Sequence, residues 1–151
     1  TAKAAAFADV EASYIAFRDQ FVMLGDDEYG ETFVGEWNLS QMLAHLAGWY
    51  RELAPELERI LDGKPTPGHT WSDADGWNAR FIENALYGSA ALDDFDLAFH
   101  DFYAAAKAIP DEAWGTDASG KTLPVEAFFR DLAIGHIDEH EPAIAAWLNG
   151  R

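Results

Sequence analysis

The sequence predicts an all-α fold. Apolar residues recur at spacings of three and four through most of the chain, the period of one helix face. No segment shows the strict alternation of a half-buried strand, and no internal repeat is present. Glycine and proline fall mainly between the periodic segments, where they act as stops.

The first helix is expected from about Ala2 to Leu24, with Phe7, Val10, Tyr14, Phe17, Phe21 and Leu24 on one face. Gly25 can then take the left-handed conformation that closes a helix. Asp26 to Glu36, acidic and glycine-bearing, reads as a loop. The second helix has the sharpest start, with Asn38 as N-cap, Gln41 completing a capping box, and Trp37 placed to staple onto Met42. It should run to about Leu61 and stop at Asp62-Gly63, before Pro65 and Pro67, with a kink or early break at Pro55.

Lys64 to Thr70 is a linker, and a shorter helix follows from about Ser72 to Tyr87 with Gly88 as its stop. A further helix spans about Ser89 to Ala108, burying Leu92, Phe95, Phe99, Phe102 and Tyr103, and Pro110 ends it. The last long helix runs from about Leu123 to Leu148. Within it the Pro142 ring crowds the Asp138 carbonyl, which predicts a bend just after His140. Four long helices suit a four-helix bundle roughly 30 Å long, with the helix around Trp77 as an insert covering one end or side.

At 151 residues the chain is expected to form a single domain, residues 1–151, around one core. Its formal charge of −17, with ten Lys and Arg scattered from Lys3 to Arg151, argues against nucleic acid and anionic membranes as partners. No apolar run approaches the roughly 18 residues of a spanning helix, and the alanine-rich start lacks the regions of a signal peptide. A cytoplasmic location is the resulting expectation. Cysteine is absent, so disulfides, thiolate ligands and a cysteine nucleophile are excluded, and a metal would need nitrogen and oxygen ligands.

The most informative feature is the pair His136 and His140, four residues apart on the expected apolar stripe Val125, Phe129, Leu132, His136, His140, Ile144 and Trp147. Spacing i, i+4 stacks both rings on one helix face. A third histidine, His45, repeats the anomaly on the face of Met42, Trp49 and Glu52. If the second and last helices lie side by side, three neutral imidazoles converge and leave open positions on zinc, nickel or iron(II). The spacing alone is weak, since no glutamate of an H-E-x-x-H motif lies between the pair. The competing reading is core-edge histidines satisfied by backbone carbonyls or carboxylates, and both readings stand at this point. His69 in its Pro/Gly loop and His100 beside Asp101 read as ordinary structural histidines.

Trp49, one turn from His45, is the best pocket candidate, with Tyr50 as a hydrogen-bond donor and Glu52 as a further pocket residue. Glu52, Asp138, Glu139 and Glu141 are candidates to orient the histidines, though such carboxylates are more often solvated. The remaining tryptophans read mainly as core. Phosphate loops, nucleophile elbows and the paired Glu-x-x-His motifs of di-iron bundles are all missing.

Two segments resemble the DinB-like superfamily: Gly35-Glu36-Trp37-Asn38-Leu39-Ser40-Gln41 leading to His45 and Trp49, and His136-Ile137-Asp138-Glu139-His140-Glu141-Pro142 leading to Trp147-Leu148. His69-Thr70-Trp71 through Trp77-Asn78 is similar to the insert of its ClbS/DfsB branch, so the resemblance covers nearly the whole chain. It implies an up-down-down-up four-helix bundle with a site at His45, His136 and His140. It also implies a divalent metal (zinc, nickel or iron), a small-molecule substrate and a homodimer.

The superfamily includes metal-dependent thiol transferases and isomerases, and a ClbS-like member opens an electrophilic cyclopropane on a genotoxin. The implied activity is a hydrolase or a thiol-dependent transferase acting on a reactive small molecule. With no cysteine in the chain, the thiol would be a small-molecule cofactor. The ClbS/DfsB branch does not reliably keep the second histidine of the pair, so His140 draws this chain toward the metal-binding pattern. The alternatives are a metal-free binding or protective bundle with a Trp49-lined cavity, and a structural dimer with a vestigial site.

Overall fold

The Thr1 side chain opens the first helix by accepting a hydrogen bond from the Ala4 N–H at 3.1 Å, satisfying one of the unpaired donors of a helix start. This helix, α1, spans Ala2–Asp19 and buries Phe7, Val10, Tyr14 and Phe17. It ends earlier than the sequence predicts. The chain continues to Leu24 in short-range turns, with Phe21 N–H donating to the Arg18 carbonyl and Leu24 N–H to that of Phe21. Gly25 is extended at φ −75°, ψ 157° rather than left-handed, because the helix has already closed. The computed structural model describes residues 1–34, 37–62, 73–115 and 124–151. The expected linker Lys64–Thr70, His69, Trp71 and the expected helix starts at Ser72 and Leu123 lie outside these residues.

The stretch expected to be a loop holds a 3-10 turn at Asp26–Gly30 and a strand, β1 Thr32–Val34, which forms a two-stranded antiparallel ribbon with β2 Trp37–Asn38 just beyond that stretch. Phe33 of β1 stacks on Trp147 at 4.8 Å. The ribbon thereby joins the last helix to the start of the second.

Helix α2, Leu39–Leu53, begins where the capping box places it. Asn38 Oδ1 accepts from the Gln41 N–H at 2.9 Å, and Gln41 Oε1 accepts from the Asn38 N–H at 2.9 Å. At Pro55 the chain breaks rather than bends, and a short α3, Glu56–Leu61, follows. Helix α4, Ala74–Glu83, is shorter than expected and has no fully buried residue. It lies along α2. Gly88 at φ +63° makes the turn into α5, Ala90–Lys107, a conformation that favours glycine.

Helices α2 and α5 form the most extensive contact of the bundle. Their shared core holds Tyr50, Phe95, Phe99 and Phe102, each no more than 1 % exposed. Burying one such aromatic contributes about 2–3 kcal/mol. Tyr14 stacks on Phe99 at 3.8 Å, while its hydroxyl donates to Asp96 Oδ1 at 2.5 Å and Arg18 Nε donates to the same oxygen at 3.0 Å. This ties α1 to α5.

The final helical segment has three parts: α6 Pro124–Arg130, a π turn at Asp131–Gly135, and α7 His136–Asn149. The π turn closes with the His136 N–H donating to the Asp131 carbonyl, five residues back instead of four. Pro142 lies inside α7, which continues through it to Asn149. The π turn is an irregularity that the sequence did not announce, and it falls before the histidine pair. Among the described residues no helix is long and apolar enough to cross a membrane.

Candidate metal centre

The extra residue of the π turn changes which side chains the last segment buries. Val125, Phe129, Ala133, Ile137 and Ile144 form the fully buried line. Leu132, His136 and His140 flank it, half-buried. The expected stripe is thus corrected by one position: the histidines edge the core instead of sitting in it. Such π turns recur at functional sites because they re-aim the side chains that follow.

His45, on the buried side of α2, is 4 % exposed. Its Nε2 lies 2.9 Å from His136 Nε2 and 3.2 Å from His140 Nε2. One ligand atom from each of the three rings falls within 4.8 Å of the others, and among the described residues this is the one cluster of its kind. Donor chemistry tests the fit. Nitrogens held about 2.0–2.1 Å from a tetrahedral ion stand about 3.3 Å apart, and the two distances from His45 Nε2, 2.9 and 3.2 Å, lie within tenths of an ångström of that spacing. Three nitrogens facing one point cannot satisfy one another fully by hydrogen bonding, because a neutral imidazole offers one donor and one acceptor. A single cation would satisfy all three.

Electrostatics favour the neutral ligand form. Burial, reinforced by the neighbouring His136 and His140, pushes the His45 pKa down to about 3, against a smaller raising effect from its bond to Asn78. Burial and then His140 push His136 down to about 4, with Glu139 raising it. Burial also lowers His140, again opposed by Glu139.

The three histidines line a cavity of about 390 Å³ with Trp37, Trp49, Leu53, Asn78, Leu132 and Glu139. Trp37 comes from β2, its ring 4.9 Å from that of His45. Asn78, on α4, meets both His45 Nδ1 at 2.9 Å and Trp49 Nε1 at 2.6 Å through its Oδ1. Helix α4 comes this close because Gly48 has no side chain: a Cβ there would meet the ring of Phe81 at under 3 Å. A larger, open groove of about 610 Å³ lies between Phe33, Trp147 and Arg151. It is not lined by any of the histidines.

Of the residues expected at the pocket, Trp49 lines it and two do not. The Tyr50 ring packs in the core against Phe102 at 5.4 Å and Phe95 at 5.8 Å, and its buried hydroxyl has no hydrogen-bond partner among the described residues. Position 50 follows Trp49 by about 100° around the helix and so faces α5. Glu52 lines a separate cleft of about 320 Å³ with Arg51, Phe81 and Asp94. Among the acidic candidates, Glu139 reaches the pocket. Burial raises the Glu141 carboxyl, which sits near Gln20, and Asp138 is exposed. Sequence reasoning read Trp37 as a helix staple and grouped it with tryptophans expected mainly in the core, and it gave Asn78 no role beyond its place in the resemblance.

Fold and site together define an all-α bundle with a three-histidine cluster at the junction of its second and last helices. The chain is similar to the crystal structure of a mycothiol-dependent maleylpyruvate isomerase, at TM-score 0.70 and 16% identity over 93% of this chain and 60% of that one. A histidine-to-alanine mutant of the same enzyme matches at TM-score 0.71, with the same identity and coverage. This likeness shows the fold, an all-α helical bundle. The chain spans about 60% of the length of those structures. No protein-family model and no curated protein matches it.

Proposed function

We propose that this is a divalent-metal-binding protein of DinB-like fold in which His45, His136 and His140 hold one ion, serving a thiol-dependent transfer or isomerisation, or a hydrolysis, of a reactive small molecule. The observation that carries the reading is the convergence of three imidazole nitrogens, with His45 Nε2 at 2.9 and 3.2 Å from the other two. Zinc, nickel and iron(II) all suit such ligands.

A bound ion would supply Lewis acidity and lower the pKa of a coordinated water or thiol. The protein's own residues shape what reaches it. Trp37 and Trp49 with Leu53 and Leu132 exclude water from the cavity walls, and Glu139 sets a negative charge beside His136 and His140. Because the chain has no cysteine, a thiol must arrive as a small molecule. The mycothiol dependence of the structural neighbour supports the thiol arm over hydrolysis.

The reading takes residues 1–151 as one bundle domain acting as a cytoplasmic homodimer, and the Trp77-Asn78 pair groups it with the ClbS/DfsB branch. A second reading, a metal-free bundle that sequesters an apolar electrophile, is favoured by the two tryptophans walling the cavity. Cobalt(II) titration separates the two. Visible cobalt bands in wild type, lost in His140→Ala and joined by a thiolate charge-transfer band on adding mycothiol or glutathione, support the first. Absent bands, with tryptophan quenching by apolar electrophiles, replace it with the second.

A further inference from the structure

We propose that Trp49 and Asn78 lock the tautomer of His45, with Asn78 a positioning residue that fixes which ring nitrogen faces the centre. The purpose of this lock rests on the metal reading above. Its existence does not.

The deduction starts from Trp49, because an indole N–H donates and never accepts. Trp49 Nε1 lies 2.6 Å from Asn78 Oδ1, so the amide must present its carbonyl there; the opposite orientation would set donor against donor. Trp49 thereby decides how the Asn78 side chain is turned. The same oxygen lies 2.9 Å from His45 Nδ1, and an acceptor at that distance demands a proton on Nδ1. A neutral ring protonated at Nδ1 carries its lone pair at Nε2. Nε2 is the atom that faces His136 and His140.

The local structure explains why one oxygen can serve two donors. His45 and Trp49 stand one turn apart on α2, so both N–H groups leave the same helix face. Asn78 arrives from α4, held against α2 by the close seat of Phe81 on Gly48. The third element of the site is therefore α4, which contributes no histidine. A hydrogen bond of this kind fixes ring orientation and raises ligand basicity, and its loss commonly lowers metal affinity about 10–100-fold.

The test is long-range proton–nitrogen correlation spectroscopy of the chelator-treated protein, followed by zinc competition titration. Wild type should show His45 as the Nδ1–H tautomer. Asn78→Ala should give mixed tautomers and about 10–100-fold weaker zinc binding. Asn78→Asp keeps an acceptor and should restore both the tautomer and most of the affinity. Trp49→Phe frees the amide to turn and should loosen the tautomer with Asn78 intact. An Nε2–H tautomer in wild type overturns the proposal, and so does Asn78→Ala with tautomer and affinity unchanged. If Asn78→Ala fails to fold, wild type and Trp49→Phe decide by tautomer alone. A locked tautomer in a wild type that takes up no zinc sustains the lock and removes the metal reading.

Discussion

Gly48→Ala places one methyl group between the two helices that build the site. The new Cβ would fall within 2.6 Å of Cγ, Cδ1 and Cδ2 of Phe81, whereas carbon atoms rest at about 3.5–4.0 Å. The ring must retreat by about 1 Å or more. Turning the ring about χ2 leaves Cγ where it is, and Trp49 and Trp77 both pack against the ring, so the strain is expected to fall on α4. Asn78 is three residues earlier on α4 and travels with it, which takes its 2.9 Å contact with His45 past the roughly 3.5 Å limit of a hydrogen bond.

Overpacking of this kind costs about 1–3 kcal/mol, and the better helix propensity of alanine returns up to about 1 kcal/mol. The net is a loss of about 0–2 kcal/mol, a few degrees in melting temperature for a chain of this size. Zinc affinity should fall about 10–100-fold if α4 acts through Asn78. Urea denaturation and zinc competition read the two effects separately. A variant more stable than wild type with unchanged zinc affinity would refute the close seating of α4.

The histidines also predict a pH dependence. In the metal-free folded protein His45 and His136 take up protons only near about 3 and about 4, while in the unfolded chain they do so below about 6.5. The unfolded state thus binds more protons between these limits, and stability present above pH 6.5 is lost as pH falls, by up to about 1.4 kcal/mol per pH unit for His45. From pH 7 to 5 the urea midpoint of wild type should drop more than that of His45→Gln; an equal drop contradicts it. Tyr50→Phe removes a buried hydroxyl that has no partner among the described residues and should leave zinc affinity unchanged and stability equal or higher by about 1 kcal/mol; weaker zinc binding would put Tyr50 back at the site. Asp96→Ala strips the acceptor from Tyr14 and Arg18 and should cost about 1–3 kcal/mol in urea denaturation, a loss below about 0.5 kcal/mol counting against the tie between α1 and α5.

What could be read from the sequence was local. The Asn38/Gln41 box lies within one helical turn, and its reciprocal bonds appear where the spacing puts them. The His136/His140 pair was visible for the same reason, as two rings one turn apart. The π turn was not, since an i to i−5 bond leaves no mark in an apolar period and only the packing of Ala133 and Ile137 reveals it. The ribbon at Thr32–Asn38 is too short for a period-two signal. Asn78 meets His45 from 33 residues away, and one asparagine on a half-exposed helix carries no pattern that announces such a contact.

Metal content of untagged protein, measured by elemental analysis after purification, bears most directly on the three-histidine centre. Wild type should hold close to one divalent ion per chain, and His136→Ala, with its helical content intact, close to none. Equal trace amounts in both proteins would contradict a metal centre built from His45, His136 and His140.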